Sequence, residues 1–209
     1  MGKPQLFIVA GPNGSGKSLL SATLTELKGE VFDGDKHLAK LKKSFPEIGS
    51  DVLLDRVNDG LFYEAKERAI LLKENFAFET NFVADDPIYS MRQFRDAGYE
   101  THLIFMGMNT IEDCIQRVTL RVKKGGHKVP EISIRHNFKT GYKNLYKFYP
   151  EFDSVTLIDN PIALNEIVQI PVKLLTWKDD ILFLEDVSFP EWAIRFIEDI
   201  KKRYDANKA

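Results

Sequence analysis

Residues 11–18 read Gly-Pro-Asn-Gly-Ser-Gly-Lys-Ser, and they directly follow the apolar run Leu6–Ala10. The spacing Gly-x-x-x-x-Gly-Lys-Ser is typical of a loop that wraps around phosphate groups between a strand and a helix. Glycine lets the backbone turn sharply, so that several N–H groups point at one anion. The helix that follows directs its partially positive end at the same anion. The sequence therefore predicts a site for a nucleoside triphosphate.

All eight loop residues are predicted to bind ATP. Lys17 is also a catalytic candidate, because its charge would meet the β- and γ-phosphates, and the Ser18 hydroxyl would ligate Mg²⁺. ATP and Mg²⁺ are therefore the predicted cofactors. The complete set of ATP-binding candidates is Gly11, Pro12, Asn13, Gly14, Ser15, Gly16, Lys17 and Ser18.

Composition bounds the class of protein. The 209 residues are 44% hydrophobic, which is enough for one sizeable core, and the net charge of −2 disfavours nucleic acid and membrane as partners. The single cysteine, Cys114, rules out an internal disulfide framework. The first residues lack signal-peptide architecture, and no apolar run is long enough to span a bilayer. We expect a cytoplasmic protein.

Short apolar runs alternate with longer helical patterns along the first 160 residues, which predicts a mostly parallel sheet of five strands flanked by helices. The predicted strands are Leu6–Ala10, Glu30–Phe32, Phe76–Phe78, Thr101–Met106 and Ser154–Ile158. The main predicted helices are Ser18–Leu27, Asp51–Glu74, Pro87–Ala97 and Thr110–Lys123.

The pattern changes after Asn160-Pro161. Two β-rich runs around Lys178-Asp179-Asp180 predict a hairpin, and an amphipathic helix is predicted to follow. We expect a P-loop domain at 1–164 and an appendage at 165–209 that packs on it, either as a stabilising edge extension or as a surface for a dimer or partner. The hairpin strands are Val168–Trp177 and Ile181–Val187, and the helix is Phe189–Tyr204.

Two carboxylates follow the second predicted strand. If the chain stays extended, Asp33 and Asp35 share a face and meet the ligand at the carboxyl edge of the sheet. There Asp35 would orient or deprotonate an acceptor hydroxyl, while Asp33 would contact the substrate or hold metal-bound water. The alternative is an acidic turn that caps a helix at Lys36–Lys42.

The third predicted strand ends in Glu79-Thr80-Asn81. These polar side chains are predicted to bind the substrate, through its hydroxyl groups or through metal-bound water, since ligands collect at this edge of open α/β sheets. The alternative is a solvated turn before Asp85.

Residues 115–148 contain nine Lys or Arg and one acid, a local charge of +8 in a chain of −2. Arg117 and Arg121 lie one helical turn apart, and they are predicted to stabilise the transferred phosphoryl group. The glycine-containing joint Gly125–Lys128, with the substrate candidate His127, is predicted to help close the site. Four more cations at four-residue spacing indicate a solvated helix face, or else a nucleic-acid surface: Arg135, Lys139, Lys143 and Lys147.

In their order along the chain, the motifs resemble the zeta-toxin-like P-loop kinases, most closely the bacterial branch labelled predicted ABC-type ATPase. The resemblance covers roughly residues 4–160. Its landmarks are the loop at 11–18, Asp33-Gly34-Asp35, Phe78-Glu79-Thr80, Arg117 with Arg121, Gly125-Gly126-His127-x-Val129-Pro130 and Ile134-Arg135.

The resemblance implies a P-loop NTPase fold of the kinase type and ATP-dependent phosphorylation of a nucleotide sugar. It also implies Asp35 as the base, Glu79 as a contact to substrate or metal, Arg117 as the phosphoryl-binding arginine, and an antitoxin protein as a candidate partner. Zeta toxins carry Gly-Thr-x-Arg after the third-strand Glu, whereas this chain continues Thr80-Asn81-Phe82-Val83 and lacks that Arg.

A kinase that phosphorylates a small acceptor is therefore the first hypothesis. The chain lacks the Asn-Lys-x-Asp motif of guanine-specific GTPases and the Leu-Ser-Gly-Gly-Gln signature of transporter ATPases. Two alternatives remain: an ATP-binding regulatory NTPase without a small acceptor, and a polynucleotide kinase that uses the cationic segment.

Overall fold

The computed structural model describes residues 2–25, 30–161, 170–179 and 181–208. A single sheet of six strands, in the order β2-β1-β3-β4-β5-β6, runs through these residues. The strands are β1 Gln5–Ala10, β2 Phe76–Thr80, β3 Glu100–Gly107, β4 Ser154–Asp159, β5 Val172–Lys178 and β6 Ile181–Leu184.

Helices connect and cover the strands. The first lies directly after the predicted phosphate loop, as the strand–loop–helix prediction requires, and four of them lie between β1 and β2. The α-helices are α1 Lys17–Thr25, α2 Gly34–Ser44, α3 Ser50–Asp55, α4 Tyr63–Leu72, α5 Asp86–Asp96, α6 Ile111–Lys123, α7 Glu131–Phe148 and α8 Glu191–Lys208.

The sheet is mixed, which corrects the prediction of a mostly parallel, five-stranded sheet. Strands β1 to β4 are parallel, but β5 pairs antiparallel with β4, and β6 pairs antiparallel with β5. The sequence pattern did locate the hairpin, and its strands β5 and β6 extend the sheet at the β4 edge.

The predicted strand Glu30–Phe32 is wrong as a strand. Phe32 makes one parallel bridge to Phe78, in which its N–H donates to Ala77 and its carbonyl accepts from Glu79, both at 2.9 Å. The run stops there because Asp33 caps helix α2, so the chain turns into a helix immediately after the bridge.

The long helix predicted at Asp51–Glu74 is interrupted. A π-helix at Arg56–Phe62 separates α3 from α4. Gly60 leaves room for the side chain of Arg56, which lies where a Cβ atom would stand and reaches Glu64 at 3.1 Å. Helical periodicity cannot distinguish such a wider turn from an ordinary one.

The core fills both faces of the sheet and includes parts of α6 and α7. Leu145 of the cationic segment and Tyr149, which follows that segment, are buried in it. His102 is 7% exposed and stacks on Phe7, so it is a packed residue. Cys114 is completely buried, and burial raises the pKa of its thiol to about 12.

The C-terminal helix is attached near the carboxyl ends of β3 and β4. Its Trp192 packs against Gly107, where no side chain intervenes, and donates a 2.8 Å hydrogen bond from Nε1 to Asp159. Residues 162–169, which contain the predicted boundary, and Asp180 in the predicted turn lie outside the described residues. The division at 164/165 stays a prediction. No helix within the described ranges is long and apolar enough to cross a membrane.

Candidate active site

A cleft of about 1120 Å³ opens at the carboxyl ends of β1 and β2. It gathers most of the residues that the sequence proposed, although they come from segments far apart in the chain. Gly11, Pro12, Ser15 and His127 are the candidates outside its lining. The candidates that line it are Asn13, Gly14, Gly16, Lys17, Ser18, Asp33, Asp35, Glu79, Thr80, Asn81, Arg117 and Arg121.

The loop between β1 and α1 needs glycine at two of its turns. Gly14 and Gly16 have φ angles of 85° and 93°, a conformation that side chains disfavour. A Cβ at Gly16 would also lie 2.4 Å from the side-chain nitrogen of Asn160. The glycines therefore allow both the left-handed turns and the close approach of Asn160.

Lys17 lies under the loop, and its ammonium group is held by oxygen atoms. It donates hydrogen bonds to the carbonyls of Gly11 (2.7 Å) and Pro12 (3.1 Å) and to the side-chain oxygen of Asn81 (3.1 Å). Burial lowers its pKa to about 8, although the nearby carboxylates of Glu79, Asp35 and Asp33 oppose the shift. The phosphate loop thus orients the ammonium group of Lys17.

Glu79 joins the end of β2 to the first turn of α1. Its two carboxylate oxygens accept hydrogen bonds from the hydroxyls of Ser18 and Ser21, each at 2.7 Å. Burial raises the pKa of Glu79, and the two hydroxyls oppose this effect by stabilising the anion. The solvated turn that was the alternative for Glu79 does not describe this half-buried carboxylate, which accepts two hydrogen bonds.

The residues after Glu79 form a tight turn that faces the cleft. The Thr80 hydroxyl accepts from the N–H of Phe82 at 3.0 Å, and Phe82 is buried with a φ of 60°. Asn144 of α7 donates to the Phe82 carbonyl at 2.9 Å, and Gly141 of the same helix lies close to the carbonyl of Asn81. Helix α7 thus fixes the turn that aims Thr80 and Asn81.

The two aspartates do not share an extended strand. Asp33 caps α2 by accepting from the N–H of Lys36 at 3.1 Å, and Asp35 lies within the first turn of that helix. The capping alternative therefore describes Asp33, whose buried side chain has a structural partner. Asp35 is exposed and lines the cleft, where its carboxylate can meet a ligand.

Arg117 is bound to the backbone around the loop. Its guanidinium donates to the carbonyl of Gly14 at 3.1 Å and to that of Pro161 at 2.5 Å. Asn160 adds a 2.7 Å hydrogen bond from its side-chain nitrogen to the Ser15 carbonyl. Two side chains from beyond β3 and β4 therefore hold successive turns of the loop.

Arg121 and His127 differ in their relation to the cleft. Arg121 lines it and donates to the backbone carbonyl of His127 at 2.9 Å, which ties the glycine-containing joint to α6. The imidazole of His127 is exposed and does not line the cleft.

Most of the cationic segment faces solvent. Lys139, Lys143 and Lys147 are exposed, and Arg135 forms surface ion pairs with Glu131 (2.7 Å) and Glu112 (3.3 Å). These positions match the solvated helix face that the spacing predicted.

Three buried or half-buried residues that hold the site together were not predicted from the sequence. Ser21 holds Glu79, Asn160 holds the loop, and Asn137 of α7 donates a 2.8 Å hydrogen bond to the buried Asn13. Asn160 follows a strand end, as do the predicted aspartates and Glu79, so position alone could have found it. Ser21 and Asn137 lie inside helices and carry no comparable signal.

The oxygen-bearing side chains of the cleft are suited to binding Mg²⁺. The Ser18 hydroxyl and the Glu79 carboxylate are adjacent oxygen donors, which is the donor chemistry that this hard cation prefers. Among the described residues there is no group of three His, Cys, Asp or Glu that would hold a metal alone. Magnesium held partly by substrate phosphates is consistent with so small a set of protein ligands.

Comparison with known proteins relates this fold to kinases. No family model matches the chain. An uncharacterized protein of Haemophilus influenzae is 29% identical over 128 residues, which are 61% of this chain and 88% of that protein. A kinase candidate from Chloroflexus aurantiacus superposes with a TM-score of 0.50 at 19% identity, over 60% of this chain and 70% of that one.

Two further solved structures share the fold. The AvrRxo1-ORF1:ORF2 complex with ATP contains a chain that superposes with a TM-score of 0.61 at 17% identity, over 95% of this chain and 63% of that one. The PezAT toxin–antitoxin system of Streptococcus pneumoniae gives a TM-score of 0.54 at 17% identity, over 76% of this chain and 69% of the other. The chain thus spans less than two thirds of the AvrRxo1 complex chain, and its fold is a mixed α/β fold similar to that of P-loop kinases.

Proposed function

We propose that the protein is an ATP-dependent phosphotransferase that moves the γ-phosphate to a hydroxyl group of a small acceptor. The observation that carries this proposal is one cleft lined by the predicted phosphate loop, by Lys17 and Ser18, and by the exposed carboxylate of Asp35. A phosphoryl transferase needs positioning and charge stabilisation more than covalent chemistry, and these groups supply both.

The loop and Lys17 would bind the triphosphate. The N–H groups of the loop and the start of α1 favour an anion, and Lys17 adds a full charge beneath them. The carbonyls of Gly11 and Pro12 accept hydrogen bonds from its ammonium group, which would bind the β- and γ-phosphates instead when ATP binds. The lack of an Asn-Lys-x-Asp motif favours ATP over GTP.

Ser18 and Glu79 would hold Mg²⁺. When bound, the ion neutralises charge on the phosphate oxygens. Ser21 keeps the Glu79 carboxylate directed at Ser18, and Arg117 and Asn160 keep the loop in its turned form. Arg121 lines the cleft and bonds a single backbone carbonyl, that of His127, whereas the guanidinium of Arg117 bonds two, so we assign the transferred group to Arg121.

Asp35 would act as the base. The acceptor oxygen forms a bond to the γ-phosphorus while the bond from that phosphorus to the β–γ bridging oxygen breaks, and ADP leaves with that oxygen. The acceptor's hydroxyl proton passes to the Asp35 carboxylate and from there to solvent. Asp35 suits this step because it is exposed on the cleft and follows Phe32, which bridges to the strand that carries Glu79.

The proposal is tested with γ-labelled ATP and a small-molecule extract of cells. We expect label in a small-molecule product with the wild type, none with Lys17→Ala, and wild-type transfer with the control Lys139→Ala on the solvent face of α7. ATP hydrolysis without a labelled acceptor would favour the regulatory NTPase, and label at a 5′-hydroxyl end of a polynucleotide would favour the polynucleotide kinase.

A role as the toxin of a toxin–antitoxin pair is a further proposal, which rests on the family resemblance and on the shared fold. The resemblance to zeta toxins implies a nucleotide sugar as acceptor and an antitoxin protein as partner, and the fold is shared with a chain of the PezAT toxin–antitoxin system. Co-purification of a partner encoded beside this protein, with loss of transfer in the complex, would support the second implication. The cytoplasmic location likewise stays a prediction.

A further inference from the structure

Apart from Lys17, which lies under the phosphate loop, the charged residues of the cleft are separated by sign across that loop. On the β2 side of β1 lie Asp33, Asp35 and Glu79; on the β3 and β4 side lie Arg117, Arg121 and Lys124. This division follows from the sheet order, because β2 and the Phe32 bridge flank β1 on one side and β3 flanks it on the other.

The β2 side is the half that remains for the acceptor, if the proposed phosphoryl transfer is correct and Asp35 is the base. Besides the three carboxylates, its described lining consists of uncharged residues: Gly34, Leu54, Asn58, Thr80 and Asn81. Leu54 is 44% exposed and presents an apolar wall, while Asn58, Thr80 and Asn81 can exchange hydrogen bonds with hydroxyl groups. Within the described lining, this half has no Lys, Arg or His.

The helix end in this half is already neutralised. Helix α2 begins at Gly34 and would direct a partially positive N-terminus at the acceptor, but Asp33 caps it and Asp35 stands in its first turn. The ammonium of Lys17 is the nearest cation, and the triphosphate would engage it. The Mg²⁺ that Ser18 and Glu79 would hold would be engaged by the triphosphate as well. An acceptor that brought its own phosphate or carboxylate would therefore meet Asp33 and Asp35 without a free cation to bind it, which disfavours such a ligand.

We infer that the acceptor is a hydroxyl compound without phosphate or carboxylate groups, such as a sugar, a polyol or a nucleoside. This inference rests on the proposed function and narrows it, because the nucleotide sugar implied by the family resemblance is anionic. The hydroxyl-rich body of such an acceptor would hydrogen-bond to Asn58, Thr80 and Asn81, with its apolar face on Leu54.

The test separates the acceptors by charge before the reaction. A small-molecule extract is passed over an anion exchanger, and the flow-through and the retained fraction are each incubated with the protein and γ-labelled ATP. Label in a product of the flow-through is the expected result. Label only in products of the retained fraction would overturn the inference while leaving the proposed phosphotransferase intact. Label in neither fraction, with ATP bound by the wild type and lost in Lys17→Ala, would reject phosphoryl transfer and the inference together.

A variant tests the same point with a purified acceptor from the flow-through. Leu54→Arg puts a cation into the acceptor half, so we expect kcat/KM for the uncharged acceptor to fall and transfer to its phosphorylated analogue to rise at least several-fold. Leu71→Arg is the matched control, because Leu71 is 81% exposed on α4 and does not line the cleft. Equal preference for the two acceptors in wild type, Leu54→Arg and Leu71→Arg would overturn the inference.

Discussion

The hydroxyl of Ser18 donates a 2.7 Å hydrogen bond to the carboxylate of Glu79, and so links the first turn of α1 to the end of β2. This bond joins the loop expected to bind phosphate to the half of the cleft left for the acceptor. A disturbance of Glu79 should therefore affect metal binding and acceptor positioning together.

Replacing Glu79 by Gln should stabilise the ligand-free protein and impair transfer. Burial raises the pKa of Glu79, so the folded state holds the charged form at a cost at any pH well above 4.5, and the amide removes that cost. The expected result is a higher melting temperature at pH 8 with transfer reduced by about 100-fold, since one positioned anion is lost. A lower melting temperature without loss of transfer would contradict this role.

Ser21 acts through Glu79 and should be detected by its effect on pH dependence. Its hydroxyl lowers the pKa of Glu79, so Ser21→Ala should raise that pKa further and move the acidic limb of the kcat/KM profile to higher pH. Ser21→Thr keeps a hydroxyl and should restore the profile. Ser90→Ala, which removes a buried serine hydroxyl from α5, is the control expected to leave the profile unchanged.

Nucleotide affinity should fall above about pH 8. Burial lowers the pKa of Lys17 from 10.5 to about 8, so the free protein loses the ammonium proton as pH rises through that value, while bound phosphate would retain it. Linkage then predicts an affinity loss of about 10-fold per pH unit between pH 8.5 and 9.5. Equilibrium binding of ATP measures it. Lys17→Arg, which stays charged, should bind with a flat profile, and a flat wild-type profile would refute the assignment.

The two aspartates should have separable effects. Asp33→Ala removes the cap of α2 and should lower the free energy of unfolding by about 1 kcal/mol. Asp35→Asn should keep ATP affinity and stability but lower transfer by orders of magnitude, as the loss of a general base does. Denaturant unfolding and single-turnover transfer measure the two effects. Wild-type turnover in Asp35→Asn would remove Asp35 from the chemistry.

Asn160→Ala should loosen the loop. The side chain contributes a 2.7 Å hydrogen bond to the Ser15 carbonyl, and the loss of one such bond weakens ATP binding by roughly 10-fold. Asn75→Ala offers a comparison, because Asn75 also bonds a backbone group, the N–H of Gln5, at an exposed position outside the cleft. Equal ATP affinity in both variants would show that the loop keeps its shape without Asn160.

The sequence features that indicated the phosphate loop lie within a few neighbouring residues, and they correctly predicted the strand and the helix on either side of it. Glycine spacing after an apolar run located β1 and α1, and a carboxylate at a strand end located Glu79, whereas Asp35 lies in the first turn of α2 and follows no strand. Periodicity did not find the interruption at Arg56–Phe62, because a π-helix keeps the same side-chain character as the helices around it.

What the sequence could not predict are contacts between distant segments. The bonds from Arg117 to Gly14 and from Asn160 to Ser15 join residues more than 100 positions apart, and they depend on the tertiary packing of α6 and β4 against the loop. The same packing changed the expected role of Arg117, from a free phosphate ligand to a residue bound to carbonyls. The antiparallel pairing of β5 with β4 likewise depends on long-range docking.

The helical segment between Phe32 and Phe76 starts and ends beside strand β2. Phe32 bridges to Phe78 of that strand, and Phe76 is its first residue. The segment supplies Asp35, Leu54 and Asn58 to the acceptor half and nothing to the opposite half of the cleft. Under the proposed function, exchange of this segment between related chains would change which acceptor is phosphorylated, while the phosphate donor would stay the same. New acceptor preferences can evolve by this route.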